Sequence, residues 1–362
     1  MKVLLLCFLM MNVLSFAADG RTQQLDAIFG RLISSGEPGA AVLVVKDGKP
    51  LLQRSYGIAD LQSARKIDER TNFRLASVAK QFTAMSIMLL VHDGKLHYED
   101  RLTDVFPDFP AYGETITIRN LLNHTSGLVD YEDIMARPYG GTIPDSVAQI
   151  KDVGVLDLLK KEKSTAFPSG SHWSYSNSGY AVLAMIVERV SGKPFEQFLR
   201  DRIFAPLQMT QTIAHEKGKN EVSNRSYGHT KEASGWKLTD QSPTSAVLGD
   251  GGIYSSLNDL AKWDRALAQH KLLTAEEMRP AFTPVEAAVL GPDNQPAAYG
   301  FGWFLDPYKR HKRMWHYGET VGFRTVIERF PDDKLTVIVL CNRSDIAAQD
   351  VALQVADLFL TR

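Results

Sequence analysis

Cysteine is nearly absent from this chain: its 362 residues include only Cys7 and Cys341. Cys7 lies in an amino-terminal segment that we expect to be removed, so Cys341 would remain alone and no intramolecular disulfide can form. Cys341 ends the apolar run 335–341, and we expect it to pack as a small hydrophobic side chain. The remaining chain, about 345 residues, is long enough to be stabilised by core burial.

Other absences exclude classes of function. The formal net charge is −1 and there is no basic stripe, which argues against nucleic-acid binding. Beyond the amino terminus no apolar run reaches 18 residues, so we expect no membrane span in the mature chain. The nine histidines show no H-E-x-x-H or similar spacing, which argues against a zinc hydrolase. We therefore predict no metal and no other cofactor.

The first residues have the pattern of a signal peptide. Lys2 is a short positive region, 3–14 is an apolar run too short to span a bilayer comfortably, and small residues stand at 15 and 17. We predict a signal peptide over residues 1–17 and export to the periplasm or the medium. An uncleaved anchor is the alternative.

The most informative motif is Ser77-Val-Ala-Lys80, which opens the apolar stretch 78–91. A serine and a lysine three apart on a helix share one face, and the unpaired N–H groups of a first turn point at whatever approaches the serine. A hydroxyl nucleophile needs a nearby base and a place for negative charge to develop. The same spacing occurs at Ser63 and Ser234, but these lie in polar segments, so we favour Ser77.

Two further motifs accompany it. Tyr175-Ser-Asn177 occurs once, in a polar loop before a predicted helix. Its alternative interpretation is a helix entry capped by Asn177 or Ser178. His316-Tyr-Gly318 lies at a carboxy-terminal strand, where a glycine allows another backbone or a substrate to approach closely.

Strand patterns occur near both ends of the chain and helical patterns lie between them. The predicted strands are 39–45, 51–56, 299–305, 313–317, 323–330 and 335–341. The predicted helices are 24–34, 78–91, 116–122, 155–161, 181–190, 195–203, 257–268 and 347–360. The last three strands are joined by short turns and should be antiparallel.

These elements predict an α+β fold, an antiparallel sheet flanked by the amino- and carboxy-terminal helices with a mostly helical region inserted. We predict one domain over 18–362. Its α/β lobe comprises about 18–95 and 291–362, and its helical lobe about 96–290. Sites commonly lie where two such lobes meet.

Taken together and in this order, the three motifs resemble those of serine hydrolases of the class C β-lactamase and penicillin-binding-protein type. Those proteins pair S-x-x-K with Y-x-N and with K-x-G or H-x-G, a set related to another penicillin-recognising signature. The segments 117–128, 251–260 and 318–323 are also similar to that family. The resemblance implies a β-lactamase/D,D-peptidase-like fold and hydrolysis through an acyl-enzyme.

The resemblance also implies roles for individual residues. Ser77 would be the acylated nucleophile, Lys80 and Tyr175 would manage its proton, and Asn177 would hold the substrate's amide carbonyl. The N–H groups of Ser77 and Glu319 would form the oxyanion hole, and the substrate's far end would be bordered by His316, Tyr317 and Gly318. A free lysine has a pKa of about 10.4 and a free tyrosine about 10, so a base at pH 7 requires a lowering worth roughly 4 kcal/mol. A shared proton would couple the two groups, and we name neither alone as the base.

One departure bears on the substrate. Many family members that hydrolyse β-lactams have lysine and threonine where this chain has His316 and Tyr317. Histidine is largely neutral at pH 7, so it should hold a substrate carboxylate less well than lysine does. An inward-turned Glu319 carboxylate would also repel a negative substrate.

We therefore predict an exported serine hydrolase that acts on a small-molecule or peptide substrate, an ester, amide or lactam, as an esterase or D-amino-acid peptidase. The alternatives are a true β-lactamase, a peptidoglycan D,D-carboxypeptidase, and a non-catalytic homologue that binds cell-wall peptide.

Overall fold

The computed structural model describes residues 20–286, 289–291 and 294–361, so the predicted signal peptide lies outside the described residues. The α-helices of this part of the chain are α1 (20–30), α2 (Lys80–His92), α3 (Leu102–Val105), α4 (Ile118–Leu122), α5 (Tyr131–Ala136), α6 (Asp152–Leu159), α7 (Asn177–Ser191), α8 (Phe195–Leu199), α9 (Leu257–Ala268), α10 (Ala275–Met278) and α11 (Ala348–Asp357). The strands are β1 (Ala40–Lys46), β2 (Lys49–Tyr56), β3 (Ile58–Asp60), β4 (Arg65–Lys66), β5 (Phe73–Arg74), β6 (Ile213–Ala214), β7 (His229–Glu232), β8 (Gly235–Leu238), β9 (Ile253–Ser255), β10 (Met314–Thr320), β11 (Phe323–Phe330) and β12 (Leu335–Cys341).

The main sheet joins the two ends of the chain. Its strand order is β10-β11-β12-β1-β2, and each neighbouring pair is antiparallel. The first and last parts of the sequence meet where β1 pairs with β12, in a register that sets Ala40 opposite Cys341 and Lys46 opposite Leu335. This confirms the predicted antiparallel sheet built from both ends.

Helices cover both faces of this sheet. Every residue of β12 is buried, because α9 packs against one face and α11 against the other. Val337 and Val339 point to the α11 side, where α1 also packs, while Ile338 and Leu340 point to the core shared with the helical region. Cys341 is fully buried, as predicted, and burial raises the pKa of its thiol to about 12.

The helical region is organised around α2. Residues Lys80–Leu90 of this helix are all buried, and it packs against α7 and α8. A small sheet, β5-β9-β6, and the hairpin β7–β8 also lie here and were not predicted as strands. Strands of two to four residues are too short to show the alternation by which a strand is recognised in a sequence.

Several predicted elements differ from the structure in kind or in extent. The segment 299–305 is not a strand: Tyr299 and Phe304 form an isolated bridge, and Phe304 also bridges Trp315 in β10. The chain turns back between them at Gly302, whose φ is +77°. The predicted helix 195–203 is α8 followed by a π-helical turn, Arg200–Phe204. The first helix ends at residue 30 rather than 34.

Glu328 in β11 is a buried acid without a close partner. Its side chain is fully buried, and neither carboxylate oxygen has a hydrogen-bond partner among the described residues. The Nη1 atom of Arg313 is 3.8 Å away. Burial raises the pKa of Glu328 to about 8, although Arg313 opposes the rise. Between about pH 4.5 and 8, the carboxyl group of Glu328 therefore stays protonated in the folded protein but is ionised in the unfolded chain.

We predict that Glu328 makes the fold less stable as pH rises. Since its folded pKa lies above its ordinary value of 4.5, the folded state binds more protons than the unfolded one between about pH 4.5 and 8, and stability falls across that window. The Glu328→Gln variant should be equally or less stable at pH 4.5 and gain on the wild type towards pH 8, by up to a few kcal/mol.

Thermal unfolding at several pH values measures this difference. The Glu69→Gln variant, changed at an exposed acid, is the control and should track the wild type throughout. A difference between Glu328→Gln and wild type that stays constant with pH would contradict the prediction.

Candidate active site

Ser77 lies in a 3₁₀ turn, Ala76–Ala79, that runs directly into α2. It is partly exposed, whereas Ala76 and Val78 on either side are buried. Ala76 has a φ of +48°, a left-handed conformation that is unfavourable for a residue with a Cβ atom. Strain of this kind is typical of functional sites. The turn sits between the main sheet and the helical region.

Lys80 brings three chain segments together. Its Nζ atom donates hydrogen bonds to the hydroxyl of Ser77 (3.1 Å), to Oδ1 of Asn177 (2.8 Å) and to the carbonyl of Asp250 (3.0 Å). These acceptors match the three donors of an ammonium group. The side chain is fully buried, and burial lowers the pKa of Lys80 to about 8, with Asp250 opposing the shift. The amine is therefore close to releasing its proton at neutral pH.

Tyr175 lies against the same ammonium group. The Nζ atom of Lys80 is 4.8 Å from the centre of its ring. Its hydroxyl is buried and has no hydrogen bond of ordinary geometry among the described residues. Burial raises the pKa of Tyr175 well above its usual value, although the nearby Ser77 hydroxyl opposes the rise. Tyr175 therefore stays protonated where Lys80 begins to lose its proton.

Asn177 is the first residue of α7, but the cap of that helix is Ser176, whose hydroxyl accepts from the N–H of Gly179 at 3.1 Å. The capping role considered for Asn177 or Ser178 is therefore wrong. The Asn177 side chain is left to bind Lys80.

Gly318 in β10 passes directly over the backbone of the 3₁₀ turn that carries Ser77. A Cβ atom at this position would lie 2.1 Å from the carbonyl oxygen of Leu75 and 3.0 Å from the nitrogen of Ser77. Only glycine allows so close an approach. It brings the backbone of Ser77 next to β10, which continues into Glu319. The Glu319 carboxylate is exposed and lies 3.7 Å from Arg324, so it is turned towards this arginine.

His316 lies behind the site. Its side chain is fully buried. Its Nδ1 atom lies 2.7 Å from the carbonyl of Tyr317, which can only accept, so Nδ1 carries the proton and Nε2 accepts from the hydroxyl of Tyr299 at 2.9 Å. Burial and the charge of Lys80 lower the pKa of His316 to about 3, so it is neutral. Of the three residues expected to border the substrate here, His316 and Gly318 are buried and Tyr317 is partly exposed.

The sequence motifs did not single out Asp250. Its carbonyl accepts from Lys80, its carboxylate accepts from the hydroxyl of Tyr131 at 2.8 Å, and burial raises its pKa to about 6. Asp130 and Glu132 also act electrostatically on Lys80. Burial raises the pKa of Asp130, whereas the side chain of Glu132 is exposed. Three carboxyl groups thus act electrostatically on the one ammonium group described above.

Within the described residues, no cluster of histidine, cysteine, aspartate and glutamate side chains could hold a metal ion. In the same part of the chain, no helix is both long and apolar enough to cross a bilayer.

A family model described as Beta-lactamase matches residues 21–359. The chain belongs to this β-lactamase family. It is 31% identical over 340 residues to penicillin-binding protein 4* of Bacillus subtilis, covering 90% of this chain and 73% of that protein. It is 27% identical over 338 residues to a D-aminopeptidase of Brucella canis, covering 89% of this chain and 60% of that protein. Family and relatives confirm the resemblance and identify a serine hydrolase.

Solved structures confirm the fold. The octameric penicillin-binding protein homologue from Pyrococcus abyssi superposes with a TM-score of 0.78 at 24% identity, over 94% of this chain and 76% of that one. The D-amino acid amidase from Ochrobactrum anthropi SV3 superposes with a TM-score of 0.77 at 23% identity, over 94% of this chain and 98% of that one.

We predict that Gly318→Ala separates β10 from the turn that carries Ser77. The added methyl group would overlap the Leu75 carbonyl, so the strand must shift and the N–H of Glu319 moves with it. Loss of one donor to a developing oxyanion lowers turnover by roughly 100- to 1000-fold, and we expect a loss of this size in kcat.

Steady-state hydrolysis of an activated ester measures the loss, with circular dichroism to show that the variant is folded. The control is Gly30→Ala, since a Cβ atom at Gly30 meets nothing within 4 Å. A folded Gly318→Ala variant with wild-type kcat would show that β10 supplies no such donor.

Proposed function

We propose that this chain is an exported serine hydrolase that forms an acyl-enzyme at Ser77, with neutral esters and D-amino-acid amides as its preferred substrates. The observation that carries the proposal is the contact of 3.1 Å between the Ser77 hydroxyl and the Nζ atom of a fully buried Lys80 whose pKa is lowered to about 8. A hydroxyl becomes a nucleophile when an adjacent base can take its proton.

The proposed reaction assigns each proton. At pH 7 roughly one tenth of Lys80 is neutral, and in that form its amine accepts the proton of Ser77 as the serine oxygen attacks the substrate carbonyl carbon. The oxyanion is bound by the N–H groups of Ser77 and Glu319. Tyr175, still protonated, donates its proton to the leaving group and regains one through Lys80. Water then attacks the acyl-enzyme while the same groups act in reverse.

Charge around the site supports the choice of substrate. His316 is neutral and buried, so it supplies no cation for a substrate carboxylate. Asp130, Glu132 and Asp250 act together on Lys80 and offset part of its positive charge. A substrate carboxylate thus finds no second cation here, whereas a substrate that is neutral or has a free amine needs none. A D-aminopeptidase is among the similar proteins.

Export is supported by the amino-terminal pattern alone, Lys2 followed by the apolar run 3–14 and small residues at 15 and 17. A single cysteine in the chain that follows, Cys341, is compatible with an oxidising compartment because it has no intramolecular partner.

We predict that Ser77 is required for turnover and that the substrate order follows charge. The mature protein should hydrolyse p-nitrophenyl butyrate and D-alanine p-nitroanilide faster, by kcat/KM, than a chromogenic cephalosporin, which carries a carboxylate. Ser77→Ala should remove turnover of all three substrates.

Ser63→Ala is the matched control, since Ser63 has the same S-x-x-K spacing but is exposed and bonded to Asp60; it should be fully active. A preference for the cephalosporin would identify a true β-lactamase. Turnover of none of the substrates would indicate a binding protein.

A second prediction concerns pH. Because Lys80 is protonated below a pKa of about 8, kcat/KM should rise with pH and reach half its maximum near pH 8. Lys80→Arg keeps the cation at all accessible pH values and should lose activity without regaining it at high pH. A wild-type profile that is flat from pH 6 to 9 would exclude Lys80 as the titrating base.

A further inference from the structure

We propose that His124 is a positioning residue for Tyr175: it holds the tyrosine so that its hydroxyl can deliver a proton to the leaving group. The proposal rests on the hydrolysis proposed for Ser77 and adds to it a residue that touches neither the nucleophile nor Lys80 by hydrogen bonding. His124 lies just beyond α4 and is fully buried.

His124 binds the tyrosine segment on both sides of Tyr175. Its backbone carbonyl accepts from the N–H of Ser174 at 3.0 Å, and its Nδ1 atom accepts from the N–H of Ser176 at 3.1 Å. Its ring packs on the ring of Tyr175, with 4.4 Å between centroids. One residue thus fixes the backbone before the tyrosine, the backbone after it, and the ring.

The backbone of His124 is in the left-handed region, with φ at +63°. This conformation is uncommon for a residue other than glycine, although histidine tolerates it better than most. In this conformation the carbonyl and the side chain of His124 both bind the segment 174–176. A cost in backbone energy at such a position is typical of a functional constraint.

The hydrogen bonds also define the charge of His124. Because Nδ1 accepts, the ring proton is on Nε2 and the imidazole is neutral. Burial, with Lys80 and His316 as further contributions, lowers the pKa of His124 well below its usual value. A protonated ring would lose the acceptor for Ser176 and repel the ammonium group of Lys80. The hydrogen bond from the N–H of Ser176 to Nδ1 of His124 therefore stays intact over the pH range in which Lys80 titrates.

Tyr175 needs such support because its hydroxyl, although near that of Ser77, makes no hydrogen bond of ordinary geometry among the described residues. Ring packing and the backbone therefore help to set its position. Further neighbours of the ring include the Nζ atom of Lys80 at 4.8 Å and the ring of His316 at 6.1 Å. His124 contacts both the ring and the backbone on either side of it.

The test compares two esters with the same acyl group. Ethyl butyrate needs a proton on its leaving ethoxide, whereas p-nitrophenyl butyrate releases a stable anion without one. A residue that acts through the acid Tyr175 should therefore matter for the first ester and much less for the second. We expect His124→Gly, which keeps the left-handed backbone but removes the acceptor and the ring, to lower kcat/KM for ethyl butyrate roughly 100-fold and for p-nitrophenyl butyrate by much less.

Three comparisons complete the experiment. Tyr175→Phe should show the same leaving-group pattern, and adding His124→Gly to it should cost no more than about twofold, since the two act as a unit. His124→Asn tolerates the left-handed backbone and keeps an acceptor for Ser176, so it should recover part of the loss. His270→Gly is the control, because His270 is exposed and also has a positive φ, +52°; it should behave as wild type.

An equal loss on the two esters, or full additivity of His124→Gly with Tyr175→Phe, would overturn the inference while leaving the proposed function intact. If His124→Gly does not fold, His124→Asn in the same double-variant cycle decides the question by the same criteria. A wild-type protein with no Ser77-dependent turnover of either ester would overturn the proposed function itself, and this inference with it.

Discussion

The buried ammonium group of Lys80 is the constraint on which the site depends. A charge without solvent must find all its hydrogen-bond partners within the protein. The three partners come from the turn at Ser77, the start of α7 at Asn177 and the loop before β9 at Asp250. These three segments must therefore meet in one arrangement. The same burial lowers the pKa of the amine to about 8, so the feature that organises the site also brings the neutral amine within reach near neutral pH.

The groups around the Lys80 ammonium differ from those of a site that binds anionic substrates. Lysine at position 316 would add a second permanent charge, but histidine there is buried, neutral and bonded at both nitrogens. The carboxyl groups of Asp130, Glu132 and Asp250 offset part of the charge of Lys80 instead. The lack of a second cation is the physical basis for proposing esters and amides of uncharged or cationic acyl groups as substrates.

Long elements could be predicted from the sequence, and short ones could not. The predicted bounds of β11, β12 and α9 agree with the structure, because each has enough residues to show its own periodicity or a sustained apolar run. The segment 299–305 looked like a strand for the same reason, but its residues turn back at Gly302 and pack along β10. The strands β5, β6 and β9 depend on pairing between distant segments, which no local pattern records.

At the site, the sequence by itself placed the hydroxyl of Ser77 beside the amine of Lys80, since the two residues are three positions apart and one helical turn brings them together. The order of the motifs then pointed to Tyr175, Asn177 and Gly318 through the family they resemble. Only the tertiary structure showed that Asp250 provides the third hydrogen-bond acceptor for Lys80 and that His124 binds the backbone on both sides of Tyr175. It also showed that His316 is buried and uncharged. The partners of Lys80 stand 97 and 170 positions away in the chain, and burial, which sets the pKa values, exists only once those segments have packed together.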